Sequence, residues 1–236
     1  MELNIRQIFQ RDDTLVQVEF LVIQEENKMY FRIILTVFTG VYSARCAPVI
    51  SFVELNPELG PHLEGDLMEN PNDVLKSEIF REKGQWPNRT VPFSVTSEFS
   101  ARELSLIGLA MLEIENKTCI KFKPGSSGDF VLYTKSMGNS CGANVGRIGG
   151  KQLINLASPC FLVGHGTAMH ETLHALGFVH EQSRGDRDSF VAIVWDKILN
   201  SAKGNFQKSN SGNEKYGTYD YGSIMHYPKT AFAKKR

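Results

Sequence analysis

The rhythm of apolar and polar residues divides the chain near residue 77. Before that point the one long apolar stretch is Ile33–Tyr42, behind Lys28 and Arg32. Residues 47–76 lack long apolar runs and carry Pro48, Pro57, Gly60, Pro61, Gly65 and Pro71, a composition that does not bury a core of its own. Beyond it the patterns are those of a folded domain. Thr90–Thr96 reads as a strand, as do Ile120–Phe122, Phe130–Thr134 and Gln152–Leu156. Ser100-Ala-Arg-Glu103 forms a capping box that opens a helix running to about Glu115, with apolar residues at Leu104, Ile107, Met111 and Ile114. A few strands with two substantial helices predict an α+β domain.

The apolar stretch at 33–42 has two readings. A positive start, ten apolar or near-apolar residues and the small residues that follow describe a secretory leader over 29–46, with cleavage after Ser43 or Cys46. The alternative is a buried strand rich in Ile, Val and Phe. Ten residues are too few to span a bilayer as a helix, so no membrane span is expected. A leader begins at the initiator, which makes Met29 the candidate start and residues 1–28 an extension of doubtful origin. The tripeptides Asn88-Arg-Thr and Asn116-Lys-Thr are glycosylation acceptors in a secreted protein and favour the leader reading.

Charge narrows the partners. With 26 basic and 26 acidic residues the formal net charge is zero, which gives no basic footprint for nucleic acid or an anionic membrane. The cysteines Cys46, Cys119, Cys141 and Cys160 become three once a leader ending at Cys46 is removed. An odd number implies free thiols in a reducing compartment or a partner cysteine outside this chain.

Five of the six histidines fall between His165 and His226. Within that cluster stands His170-Glu171-Thr-Leu-His174-Ala-Leu-Gly177-Phe-Val-His180. On a helix, His170 and His174 share one face, and Glu171 lies about 100° around the axis, within reach of a metal-bound water. Gly177 lets the backbone turn left-handed out of the helix and bring His180 back to the same ion. Three neutral nitrogen ligands that leave a position open describe a catalytic zinc site, with one Zn2+ per chain. The full pattern is the metzincin signature.

Past His180, the run Glu181-Gln-Ser-Arg184-Gly-Asp186-Arg187-Asp188 and the later Ser223-Ile-Met225-His226-Tyr227 resemble one metzincin branch, the astacins, as do Trp86-Pro-Asn and Gly146-Arg-Ile-Gly-Gly-Lys-Gln152. The resemblance runs from about Leu63 to Phe232. It implies a zincin-like catalytic domain over 77–236 with a small mixed sheet, an active-site helix and a methionine turn, preceded by a largely extended pro-segment over 47–76. It further implies a secreted zinc endopeptidase that acts on protein or peptide substrates and is released from a latent precursor by an activating protease. Glu171 would be the general base, Tyr227 a displaceable ligand that turns to the oxyanion, and Met225 an apolar floor under the ligands. His226 reads as structural. Leu63-Glu-Gly65-Asp66 resembles the family's pro-segment motif F-x-G-D with leucine for phenylalanine, which makes Asp66 the ligand that silences the precursor. Activation would cut near Lys76–Ser77, with Arg81 as the competing site, and free an ammonium to pair with Glu181. Cys141 and Cys160 match one family disulfide. Cys119 matches a cysteine whose partner lies near the domain's end, so the domain reads as incomplete at its carboxy terminus. The competing function is a non-catalytic, truncated zinc-binding decoy.

Overall fold

The computed structural model describes residues 2–11, 14–25, 28–39, 64–68, 84–208 and 217–234. The chain divides into two units, Met1–Leu55 with Ser100–Ser105, and Asn56–Phe99 with Leu106–Arg236. In the first unit, β1 (Glu2–Arg11), β2 (Thr14–Glu25) and β3 (Lys28–Thr39) form an antiparallel meander. The register runs Arg11 opposite Thr14 and Glu25 opposite Lys28. Residues 33–39 of the apolar stretch lie in β3. Ser43, Cys46, residues 47–63, Lys76–Ser77 and Arg81, where leader cleavage, most of the pro-segment and the activation cut were expected, lie outside the described residues.

In the second unit a five-stranded sheet runs in the order β5-β4-β6-β8-β7. The strands are β4 (Thr90–Val95), β5 (Lys121–Pro124), β6 (Phe130–Thr134), β7 (Cys141–Ala143) and β8 (Lys151–Leu156). β4 pairs in parallel with both β5 and β6, and β6 with β8, while β7 alone is antiparallel, along β8. The sheet is mixed, as expected. β7 was not anticipated: at three residues, one of them Gly142, it is too short to show a period. A parallel β4–β5 pair needs a crossover, and α1 (Ala101–Lys117) supplies it. Its capping box forms as read, since the Ser100 N–H donates to Glu103 Oε2 at 2.8 Å and the Glu103 N–H to Ser100 Oγ at 3.4 Å. Leu104, Ile107, Met111 and Ile114 are all buried.

The second helix, α2 (Gly166–Ala175), carries the histidine motif. The Tyr133 hydroxyl of β6, fully buried, donates to Thr172 Oγ1 at 3.0 Å, and Thr172 in turn donates to the Ala168 carbonyl at 2.6 Å, fixing the helix against the sheet. Cys141 and Cys160 are bonded, tying β7 to the turn just before α2. Cys119 is free and exposed. No helix among the described residues is long and apolar enough to cross a membrane.

Candidate metal centre

The geometry of the centre begins at the carboxy-terminal end of α2. The Gly177 N–H donates to the His174 carbonyl at 2.8 Å and the Phe178 N–H to the Leu173 carbonyl at 3.0 Å, the paired bonds of a Schellman cap. That cap needs a left-handed residue, and Gly177 has φ of 102°. Gly146 packs on the same turn, its N–H 2.8 Å from the His174 carbonyl; a Cβ there would stand 3.2 Å from the Gly84 carbonyl oxygen. The Trp86 indole N–H, 2.8 Å from the Ala175 carbonyl, satisfies another helix-end acceptor. The chain therefore leaves the helix in one direction only, and His180 returns beside His170 and His174.

The three rings meet through their Nε2 atoms, His170 to His174 at 3.0 Å and His170 to His180 at 3.3 Å. Their outer nitrogens are spoken for. His170 Nδ1 lies 2.8 Å from the Ile224 carbonyl, and His174 Nδ1 lies 2.7 Å from the Phe178 carbonyl. A carbonyl only accepts, so these Nδ1 atoms carry the protons and the Nε2 lone pairs of the neutral rings face inward. His180 Nδ1 is held instead by Glu64 Oε2 at 2.7 Å.

Asp66 closes the group. Its Oδ2 lies 3.0 Å from His170 Nε2 and 3.3 Å from His180 Nε2, and its Oδ1 lies 3.8 Å from His174 Nε2. Asp66 is 1 % exposed, and Oδ1 accepts no hydrogen bond among the described residues. Such a set fits a cation. Bonds of about 2.0–2.1 Å at a tetrahedral angle separate neighbouring ligand atoms by about 3.3 Å, and the observed spacings bracket that value. Inward lone pairs and a buried carboxylate oxygen otherwise face one another without a counter-charge.

Titration behaviour expresses the same demand for positive charge. Burial raises the Asp66 carboxyl, but the charge on His180 and the close imidazole nitrogens of His170, His174 and His180 overcome it and hold Asp66 well below the usual carboxylate range. Burial pulls His174 down to about 4. It pulls on His180 too, yet the Asp66 and Glu64 carboxylates prevail and hold this imidazole well above its ordinary value.

The other residues singled out in the sequence take these places. Glu171 is buried, one residue past His170 on α2. Met225 is buried in the turn at 223–226, and its carbonyl accepts the Glu181 N–H at 2.9 Å, joining that turn to the third histidine. Tyr227 packs against His180, ring centroids 4.7 Å apart, while its hydroxyl donates to the Glu64 carbonyl. His226 bridges the Tyr219 hydroxyl and the Tyr227 carbonyl, each at 2.8 Å. The Glu181 carboxylate is engaged by Arg184 Nη1 at 2.7 Å and by the Asp220 N–H at 3.0 Å. Asn88 and Asn116 are exposed, on a turn and near the end of α1.

Sequence reading missed the groups that seat residues 64–68. The Ala143 N–H donates to the Asp66 carbonyl at 3.0 Å and the Met68 N–H to the Ala143 carbonyl at 2.9 Å, so the segment extends the sheet edge along β7 in parallel. Asn144 Nδ2 adds a bond to the Met68 carbonyl at 2.6 Å, its carboxamide oriented by the Leu153 N–H on Oδ1 at 3.0 Å. A short edge strand with one asparagine beside it leaves no periodic signal.

Comparison with known proteins bears on the same residues. The family model described as Astacin, a peptidase family, matches residues 78–236. Zinc metalloproteinase nas-4 of Caenorhabditis elegans is 38% identical over 194 residues, covering 77% of this chain and 60% of that protein. Zinc metalloproteinase nas-15 of the same nematode is 40% identical over 191 residues, covering 72% of this chain and 33% of its own length. This chain therefore spans between a third and three-fifths of these relatives. Among solved structures, the High choriolytic enzyme 1 of Oryzias latipes (medaka fish), a hatching enzyme zinc-protease, aligns with a TM-score of 0.55 at 36% identity over 63% of this chain and 74% of that one.

Proposed function

The chain belongs to the astacin family, its family model covering residues 78–236, and from that premise we propose that it is a secreted zinc endopeptidase held latent by its own residues 64–68. One observation carries the reading: three imidazole Nε2 atoms, two of them oriented by main-chain carbonyls, converge with a buried carboxylate on a space that suits one tetrahedral ion. His170, His174 and His180 would hold zinc. Bound there, zinc supplies a Lewis acid that polarises a peptide carbonyl and acidifies water.

The remaining chemistry falls to the chain's own groups. Glu171 accepts the proton of the attacking water and delivers it to the leaving amine, a role suited to a buried carboxylate beside the ligands. The Tyr227 hydroxyl, freed from the Glu64 carbonyl, donates to the substrate oxygen as negative charge develops on it. Until then Asp66 fills the remaining position of the centre and keeps water out of it. Removal of the 47–76 segment by an activating protease opens the site, and Glu181 becomes the partner of the new amino terminus. The Cys141–Cys160 disulfide, the exposed Asn88 and Asn116 sequons and the 29–46 leader reading together support an oxidising, secretory route. Substrates are proteins or peptides laid along the sheet edge that residues 66–68 occupy here.

The test uses the full chain, matured by limited proteolysis. Protein hydrolysis appears after maturation, stops on chelation and returns with zinc. Glu171→Gln keeps one zinc per chain while turnover falls by about 10²–10⁴-fold. Zinc binding with no hydrolysis in the matured wild type would favour the decoy reading instead; failure to bind zinc at all would overturn both.

A further inference from the structure

The three ligands differ in what stands behind them. His170 and His174 lean on the carbonyls of Ile224 and Phe178, groups of the domain itself. His180 leans on a side chain from the latency segment, the Glu64 carboxylate at 2.7 Å, which Ser183 Oγ also reaches at 3.0 Å. A carboxylate behind a ligating histidine fixes its tautomer and raises its donor strength more than a neutral carbonyl does.

The backbone is bent to make this contact. Glu64 has φ of 50° and Gly65 φ of 86°, two successive left-handed residues, the first of them one that disfavours the conformation. The turn aims three groups at the site from a three-residue stretch: the Glu64 carboxylate at His180, the Glu64 carbonyl at the Tyr227 hydroxyl, and the Asp66 carboxylate at the centre. Glu64 is the position written x in the motif, where the resemblance assigns no role.

We propose that Glu64 is a second point of the latch, a positioning residue that orients His180 and strengthens its hold on the metal while the segment is in place. The inference rests on the zinc-protease reading and deepens it. Departure of the segment then does three things together: it vacates the centre, frees Tyr227 and strips His180 of its anionic partner. Zinc is held more tightly in the latent chain than after maturation, and the third histidine is the ligand whose surroundings change.

The experiment is zinc competition on the full, uncleaved chain against a chromophoric chelator, comparing wild type, Glu64→Ala and Glu64→Gln, with circular dichroism to verify folding. Glu64→Ala weakens zinc binding by about ten- to a hundredfold, the range for loss of an outer partner of a ligating histidine. Glu64→Gln keeps an acceptor for the Nδ1 proton but not the charge, and loses less. If folded Glu64→Ala holds zinc within about twofold of wild type, or if that variant does not fold and Glu64→Gln matches wild type, Glu64 has no such role. A wild-type chain that takes up no zinc would instead refute the metalloprotease reading on which this one stands.

Discussion

Residues 90–175 and residues 181–232 are held together by different means. The first stretch is strands and helices: backbone ladders join β4 to β8, and buried apolar side chains such as Val91, Ile107, Tyr133 and Ile154 fill the space beside them. The second has no described helix longer than a seven-residue 3₁₀ stretch, Asn200–Phe206. Two side-chain hubs hold it. Arg184 binds both oxygens of Asp186 at 2.9 Å, Glu181 at 2.7 Å and the Gly217 carbonyl at 2.9 Å, with its guanidinium 5.1 Å from the Tyr219 ring centroid. Phe206, Tyr227 and Phe232 meet at steep angles, centroids 5.5–6.0 Å apart, over Ile198, Ala202 and Ala231. Where ladders carry a fold, each residue contributes a little; where hubs carry it, single residues matter far more. The candidate metal ligands straddle the two, with His170 and His174 on the ladder side and His180 at the border.

The sharpest way to break this contrast is at Arg184. Replacing it by methionine removes a buried guanidinium that ties together Glu181, Asp186 and the Gly217 carbonyl, and stability should fall by about 3 kcal/mol or more. A conservative trim on the ladder side, Ile154→Val, should cost only about 0.5–1.5 kcal/mol. Urea midpoints for the two variants make the comparison, and equal shifts would dissolve the distinction. Next in size is the disulfide. Reducing Cys141–Cys160, which closes a loop with a sequence separation of 19, should lower stability by about 3 kcal/mol, read as a fall in melting temperature with reductant. A Cys119→Ser variant should melt like wild type under both conditions.

Gly177→Ala tests the border itself. An alanine at φ of 102° costs about 1–3 kcal/mol. Because the Schellman cap presents the Phe178 carbonyl to His174 and aims His180, zinc affinity should fall along with stability. A stable variant with unaltered zinc binding would show that the turn does not aim the third ligand.

The smallest effect belongs to an exposed pair on the ladder side. Glu113 is held below its ordinary pKa, first by the Lys117 hydrogen bond and then by His165. A depressed folded-state pKa means that its contribution is present above the unfolded value, 4.5, and disappears as pH falls through the folded one. Glu113→Gln should therefore cost a few tenths of a kcal/mol near neutrality, and its urea midpoint should merge with that of wild type as pH drops from about 5 to 3.

Legibility follows the same division. Thr90–Val95, the capping box at Ser100, Phe130–Thr134 and β8 were readable because each is set by neighbours within a few residues. His170, Glu171, His174 and His180 were readable because helical spacing and one glycine dictate their mutual placement. The short edge strand β7 and its added neighbours 66–68 were not, since each is stabilised by the other across the fold.

Local chemistry in the sequence determined which atoms can ligate: helix periodicity sets two imidazoles on one face, and a left-handed glycine is the cheapest way to return a third. Tertiary structure decided what stands behind each ligand and what closes the centre. Glu64 reaches His180 across 116 residues of sequence and Tyr227 across 163. Such contacts are selected by the collective burial that brings distant segments together, and no spacing rule along the chain encodes them.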